Sequence, residues 1–179
     1  AVLGQPDAFD GALARRLGEV TNLRFRSVLT ARPRAVLEAD PEAQHVHWFS
    51  THFSGYDRRK HDAGMAHYLP VNLGEVPDYY RRFIDPPDIV VFKTAPMDGD
   101  GYFNFGPNTL WMRALVERGK VVIVEETPTL PYVMGEGTGV HVSEVDYIIP
   151  GFDRPMAELP KPPATEVDKA VARLIAAEV

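Results

Sequence analysis

Two short apolar runs constrain this chain more than any other feature. Ile89-Val90-Val91-Phe92 and Val121-Val122-Ile123-Val124 are unbroken by polar residues and rich in β-branched side chains. A strand with one wet face alternates polar and apolar residues. A strand that is apolar on every position has both faces covered, which is the situation in parallel sheets flanked by helices. Between the two runs, Leu110, Met112, Leu115 and Val116 recur at helical spacing over 107–119, with Gly119 placed to end the turn. Strand, helix, strand in that order predicts a parallel βαβ unit.

The rest of the chain extends the pattern. Phe9, Leu13, Leu17 and Val20 mark a helix over 7–20. Leu23, Phe25, Ser27 and Leu29 alternate with Arg24 and Arg26, as a half-buried strand would. The stretch 33–40 reads as a short helix or loop, 45–53 as a strand, 56–64 as a polar helix stopped by Gly64, and 66–71 as a short strand. A short helix is expected over 73–83 and a third buried strand over 140–149. Thr165, with Asp168 three residues on, has the spacing of a capping box, and Val167, Val171, Leu174 and Ile175 form the stripe of a last helix. The expectation is therefore an α/β fold: an open, largely parallel sheet with helices on both faces, in one domain over 1–179. The proline-rich stretch 152–164 would be a linker before the last helix. That helix reaches Val179 without a Gly, Asn or Pro stop, and the chain starts without Met. Fraying at a true end and continuation into a longer polypeptide both fit the spacing.

Composition excludes several classes. The net charge of -6 gives no general attraction to nucleic acid or to an anionic membrane. No apolar run reaches the roughly 18–20 residues of a membrane helix, and no leader-like segment opens the chain. With no cysteine at all, thiolate catalysis, disulfides and cysteine-ligated metal sites are out, and a reducing, cytoplasmic setting is expected.

Motifs for known chemistry are few. Gly135-Glu136-Gly137-Thr138-Gly139 is glycine-rich but precedes a strand, so a flexible turn accounts for it better than a phosphate loop. His45 and His47 share one strand face but supply only two ligands, so no metal site is assigned. Glu125 and Glu126 end a buried strand, where open α/β sheets place ligands; an acid bonding a neighbouring loop is the equal alternative. Two segments stand out as substrate-binding candidates. One is the turn Ser54-Gly55-Tyr56 with Arg58, where a helix start and a basic cluster could hold an anion, against the plainer reading of a solvated basic helix face. The other is the aromatic loop after the first apolar run, with Phe103, Asn104, Phe105, Gly106 and Asn108, against a hairpin that plugs the sheet edge.

At these segments the chain resembles the acetyl-CoA hydrolase/transferase family, which includes 4-hydroxybutyrate and butyryl-CoA:acetate CoA-transferases. The resemblance rests on Arg58-Arg59-Lys60 through Gly64, His67-Tyr68-Leu69-Pro70-Val71, Leu73-Gly74-Glu75-Val76-Pro77, Pro96-Met97-Asp98, Gly101-Tyr102-Phe103-Asn104-Phe105-Gly106, Pro131-Tyr132, His141-Val142-Ser143-Glu144-Val145-Asp146 and the 162–168 segment, in family order. It implies an N-terminal half that moves CoA between an acyl-CoA and a short carboxylate, with the CoA thioester as substrate and no separate cofactor. An acyl-CoA hydrolase and a non-catalytic partner subunit are the alternatives. It further implies a nucleophilic Glu in a C-terminal half, joined in cis or supplied in trans. No catalytic residue is then expected here, and the chain alone should be inactive. A homo-oligomer is expected, without nucleic acid or membrane as partner.

Overall fold

The computed structural model describes residues 4–156, 158 and 161–179. Eight strands form three sheets. The first sheet holds β1 (Leu23–Ser27), β2 (Val46–Ser50) and β3 (Ala66–Tyr68), all parallel. The second holds β4 (Ile89–Thr94), β6 (Val121–Glu126) and β8 (Tyr147–Pro150), also all parallel. A small antiparallel arm pairs β5 (Tyr102–Asn104) with β7 (Gly139–His141). The α/β class and the parallel pairing follow the expectation, and the sheet comes in two halves with strand orders 1-2-3 and 4-6-8.

The crossovers are short. α1 (Asp7–Arg15) precedes β1, α2 (Ala35–Glu38) follows it, and α3 (Gly55–Asp62) joins β2 to β3. Between β3 and β4 a helical run passes through α4 (Val76–Asp78) into a wide turn at Tyr79–Phe83. α5 (Met112–Arg118) links the arm to β6, and α6 (Glu166–Ala177) closes the chain behind the expected Thr165–Asp168 capping box. Of the stretch 152–164, residues 157, 159 and 160 lie outside the described residues, and the rest carries no regular structure.

Each element packs by its own periodicity. Val90, Phe92, Val122 and Val124 point to one face of the second sheet and meet Met112 and Val116 of α5 with Phe103, Phe105 and Val140 of the arm. In the first sheet Val46 and Trp48 meet Leu17, Val36, Leu37 and Met65. A third cluster, Val28, Val76, Tyr80, Trp111 and Ala114, packs the helical run beside α5. Gly119 is needed where the end of α5 packs on β4, because a Cβ there would sit 2.6 Å from Val90 Cγ2.

The expected single strand over 140–149 is a correction. It is two strands, β7 and β8, in different sheets. A tight turn at Val142–Glu144 separates them, where the His141 ring accepts from Ser143 N and the Glu144 carboxylate accepts from His141 N. The opening helix likewise stops early: α1 ends at Arg15 and a separate turn covers Leu17–Glu19.

The two halves are tied by the start of the chain. Gly4 O accepts from Lys93 N (3.0 Å), and Gln5 Nε2 donates to Ser27 Oγ (2.7 Å). α1 has no side-chain cap of its own. Its first amides, on Asp7, Ala8 and Phe9, donate instead to the Glu125 carboxylate at 2.9–3.0 Å. Glu125 is fully buried, so the second of its sequence alternatives holds: an acid bonding a neighbouring segment. The free-energy cost of leaving three buried amides and a helix dipole unmatched sets the prediction. Glu125→Ala should lose about 3 kcal/mol in urea unfolding, and Glu125→Gln, which keeps one acceptor oxygen, distinctly less. Equal and small losses would show that the cap is dispensable.

Candidate functional site

The carboxyl ends of β1, β2, β4, β6 and β8 and the loops that leave them form one rim. β1 and β4 are edge strands of separate sheets, and Gly4 and Gln5 bond one to each, so the crevice between their ends is comparable to the switch point where doubly wound sheets bind ligands. Both sequence-chosen segments leave strands at this rim, one from each half.

The Ser54 turn follows β2. Ser54 Oγ accepts from the amides of Tyr56 and Asp57 at 3.1 Å, and Ser54 N donates to Asp57 Oδ2 at 2.8 Å. Asp57 is fully buried and also accepts from Thr30 N and Thr30 Oγ1. The helix start is thus capped from within, and its amides at Tyr56 and Asp57 are taken by the chain itself. Gly55 opens the helix in an exposed position. Tyr56 donates its hydroxyl to Glu38 (2.6 Å) and accepts from Arg34 N; burial and the Glu38 carboxylate push its phenol well above the ordinary range. Arg58 is exposed and lines a cleft of about 460 Å³ with Thr51, His52, Phe53, Tyr68 and Leu73. Among the described residues, Thr51 Oγ1 has no hydrogen-bond partner and is buried there. A guanidinium over a mostly apolar cleft, with an orphaned hydroxyl in the wall, suits a small carboxylic acid with an apolar tail.

The second segment is more deeply placed than a ligand-facing loop. Phe103, Asn104, Phe105 and Asn108 are each no more than 3% exposed. Phe105 stacks edge-on with Phe92 at 5.5 Å. Asn104 Oδ1 accepts from the amides of Gly106 and Val133, and its Nδ2 donates to Val133 O. Asn108 Nδ2 donates to Phe105 O. Gly106 has φ 58°, and a Cβ there would stand 2.9 Å from Leu130 Cγ and Pro131 O. The plainer sequence reading, aromatics plugging the sheet, describes Phe103 and Phe105. The loop supports the rim from behind, through its hold on 130–133.

A cluster missed in the sequence sits at the switch point itself. Asp7 receives Lys93 Nζ at 2.7 Å and Arg34 NH1 at 3.1 Å, with Arg32 and Arg154 at 3.7 and 3.8 Å. Arg34 also reaches Asp10 (3.3 Å) and the Pro6 carbonyl. Burial raises the Asp7 carboxyl, but Lys93, Arg34 and Arg154 outweigh it and hold it below 3.8. Burial wins at Asp10, which is raised. The one sequence signal was Lys93, a lysine inside the run Ile-Val-Val-Phe-Lys-Thr, where an unpaired charge is untenable. Among the described residues, no group of three or more His, Asp or Glu is placed to hold a metal ion, and no helix is long and apolar enough to cross a membrane.

Residues 1–160 match the model of the acetyl-CoA hydrolase/transferase N-terminal domain, and the chain belongs to that family. Over 176 residues it is 39% identical to the butyryl-CoA:acetate CoA-transferase of Anaerostipes caccae, covering 97% of this chain and 40% of that protein. It is 32% identical to a probable butyrate:acetyl-CoA coenzyme A-transferase of Syntrophomonas wolfei, covering 93% and 37%. The crystal structure of RipA from Yersinia pestis superposes with a TM-score of 0.83 at 24% identity, over 98% of this chain and 42% of that one. A 4-hydroxybutyrate CoA-transferase from Porphyromonas gingivalis gives 0.59 at 23%, over 84% and 40%. The chain therefore spans about two fifths of the length of these relatives.

The ion cluster makes a pH prediction. A carboxyl held below its ordinary value stabilises the fold above that value, and the contribution is lost as pH falls through the folded one. Asp7→Asn leaves Lys93 buried without its counter-charge and should cost about 3 kcal/mol at pH 7. The gap to the unsubstituted protein should narrow as pH drops below 3.8, followed by urea midpoints across pH 7 to 3. A gap independent of pH would show that Asp7 acts by packing alone.

Proposed function

We propose that this chain is the N-terminal part of a CoA-transferase that moves CoA between an acyl-CoA and a short carboxylic acid of the butyrate, acetate or 4-hydroxybutyrate type. The observation that carries the reading is family membership over residues 1–160 together with the Arg58 cleft at the sheet's carboxyl rim. Transfer of this kind needs a carboxylate nucleophile that forms an anhydride and then a thioester. Glu125 and Glu144 are both engaged, one on the amides of α1 and the other on Arg113. The nucleophile is assigned to a C-terminal half, in cis or in trans, and this chain by itself to no turnover. No cofactor beyond the CoA thioester is invoked, and the assembly is taken as a homo-oligomer in the cytoplasm. With water in place of the acceptor acid, the same site would make an acyl-CoA hydrolase.

Within this reading the Ser54-Gly55-Tyr56-Arg58 turn walls the carboxylate pocket directly through Arg58. The loop with Phe103, Asn104, Phe105, Gly106 and Asn108 contributes to substrate binding through the segment 130–133 that it holds. In the intact protein, acyl-CoA turnover should depend on added acetate or butyrate; turnover indifferent to the acid would mark a hydrolase. Arg58→Gln should raise the acceptor's KM about tenfold, equivalent to about 1.4 kcal/mol, with the donor's KM and the Tm little changed. Ser54→Ala, which removes a helix cap, should lower stability by about 1 kcal/mol and raise the acceptor's KM less. An acceptor KM unmoved by Arg58→Gln would remove this turn from the site.

A further inference from the structure

At the switch point, the charges do not balance toward solvent. Lys93 and Arg34 are nearly buried, with side chains 9% and 4% exposed, and they take both oxygens of Asp7 at 2.7 and 3.1 Å. Arg32 and Arg154 stand outside them, 29% and 50% exposed, and each reaches only the Oδ2 corner that Lys93 already holds. Arg32 NH2 is fixed on Pro155 O and Thr129 Oγ1 on Arg154 O, so backbone contacts hold the two arginines' segments against the rim. Glu125 is committed to the amides of α1, so neither that carboxylate nor that helix start is open to a ligand. The cleft between these groups has room for about 20 Å³ in its throat, the space of roughly one water oxygen.

In a chain whose net charge is -6, the guanidiniums of Arg32 and Arg154 stand together at one cleft, and among the described residues the carboxylate oxygen they share, Asp7 Oδ2, is already held by Lys93, so both keep positive charge to offer an anion. The geometry points to a binding site for a phosphate group here, with one oxygen in the throat toward Lys93 and the others against the Arg154 guanidinium and the N–H groups of Arg32 that Pro155 O does not take. Planar guanidinium forks match phosphate oxygens in pairs. The location, where strand order reverses at the carboxyl edge, is where open α/β sheets receive such groups. Phosphate satisfies three cations around one small throat, which a single flat carboxylate does less well because it offers only two oxygens. The phosphate belongs either to the CoA substrate, in which case the inference rests on the function proposed above, or to a free phosphate ion.

The test uses the intact protein at constant ionic strength set with chloride. Inorganic phosphate titrated calorimetrically should bind once per chain and raise the Tm. The Arg32→Gln/Arg154→Gln double variant should weaken that binding at least tenfold, while its Tm without phosphate falls only slightly, since Lys93 and Arg34 keep Asp7 paired and the losses are one contact to Pro155 O and one longer-range charge on Asp7. Acyl-CoA and its analogue lacking the 3′-phosphate are then used as competitors. Displacement by acyl-CoA alone assigns the site to the 3′-phosphate, displacement by both assigns it to the pyrophosphate, and displacement by neither assigns it to free phosphate. Phosphate binding that is absent, or equal in parent and double variant, overturns the inference. Binding needs no turnover, so a protein that holds phosphate but transfers no CoA would defeat the proposed function and leave this site standing. A protein that transfers CoA but ignores phosphate would do the reverse.

Discussion

The buried seam between Glu125, Asp7 and Lys93 is the constraint on which the remaining architecture depends. Among the described residues, no strand pairing holds the two three-stranded parallel sheets side by side. What joins them is the start of the chain, threaded between β1 and β4 and anchored by charged groups taken out of water. A buried ion pair is not in itself a source of stability, because desolvation consumes most of the Coulomb gain. Its value is in position. Lys93 and Glu125 are register partners on neighbouring strands, and only one placement of α1 satisfies both. That placement brings Arg34, and with it α2, onto Asp7 and Asp10.

From this seam the rim follows. With α1 fixed, the loops after β1, β4, β6 and β8 meet at the switch point, and the Ser54 turn takes its place beside them through Asp57 and Thr30. Buried acids recur as organisers of backbone rather than as reactants. Asp40 accepts from three consecutive amides at 44–46, Asp57 from Ser54 and Thr30, and Glu125 from α1. Each spends its charge on amides that would otherwise be unpaired. At the rim the same economy leaves Arg58 and Arg154, both exposed, and the part-exposed Arg32 with charge to offer a ligand.

Much of the fold was legible in the residues. Two unbroken β-branched runs became β4 and β6 in one parallel sheet, and the Arg24/Arg26 alternation became the exposed face of β1. The capping box at Thr165 and the stop at Gly64, with φ 78°, were local signals that nothing tertiary overrode. The breaks came where local pattern is silent. Val140 to Ile149 reads as one strand because apolar periodicity does not record that its two ends serve different sheets. β5 escaped notice because three residues carry too little period to see. The candidate site shows the same division. Chemistry-bearing residues in a turn, such as Arg58, can be picked out by type. The Asp7–Lys93–Arg34 cluster draws on residues 86 and 27 positions apart, and only Lys93 was out of place in its own neighbourhood. Phe103 and Phe105 stand out in the sequence as aromatics in a loop, and the structure buries both in the core of the second sheet.

The reach of the seam also bears on how the chain is made. Asp7 and Glu125 are separated by 118 positions, so the first helix leaves the ribosome well before its cap exists. A nine-residue helix without a side-chain cap of its own is marginal in water. Its amides find their acceptor only once β6 has been synthesised and aligned. This helix, made before β6, is thus among the last segments to settle, and the first sheet has to survive vectorial synthesis before the seam that joins it to the second exists.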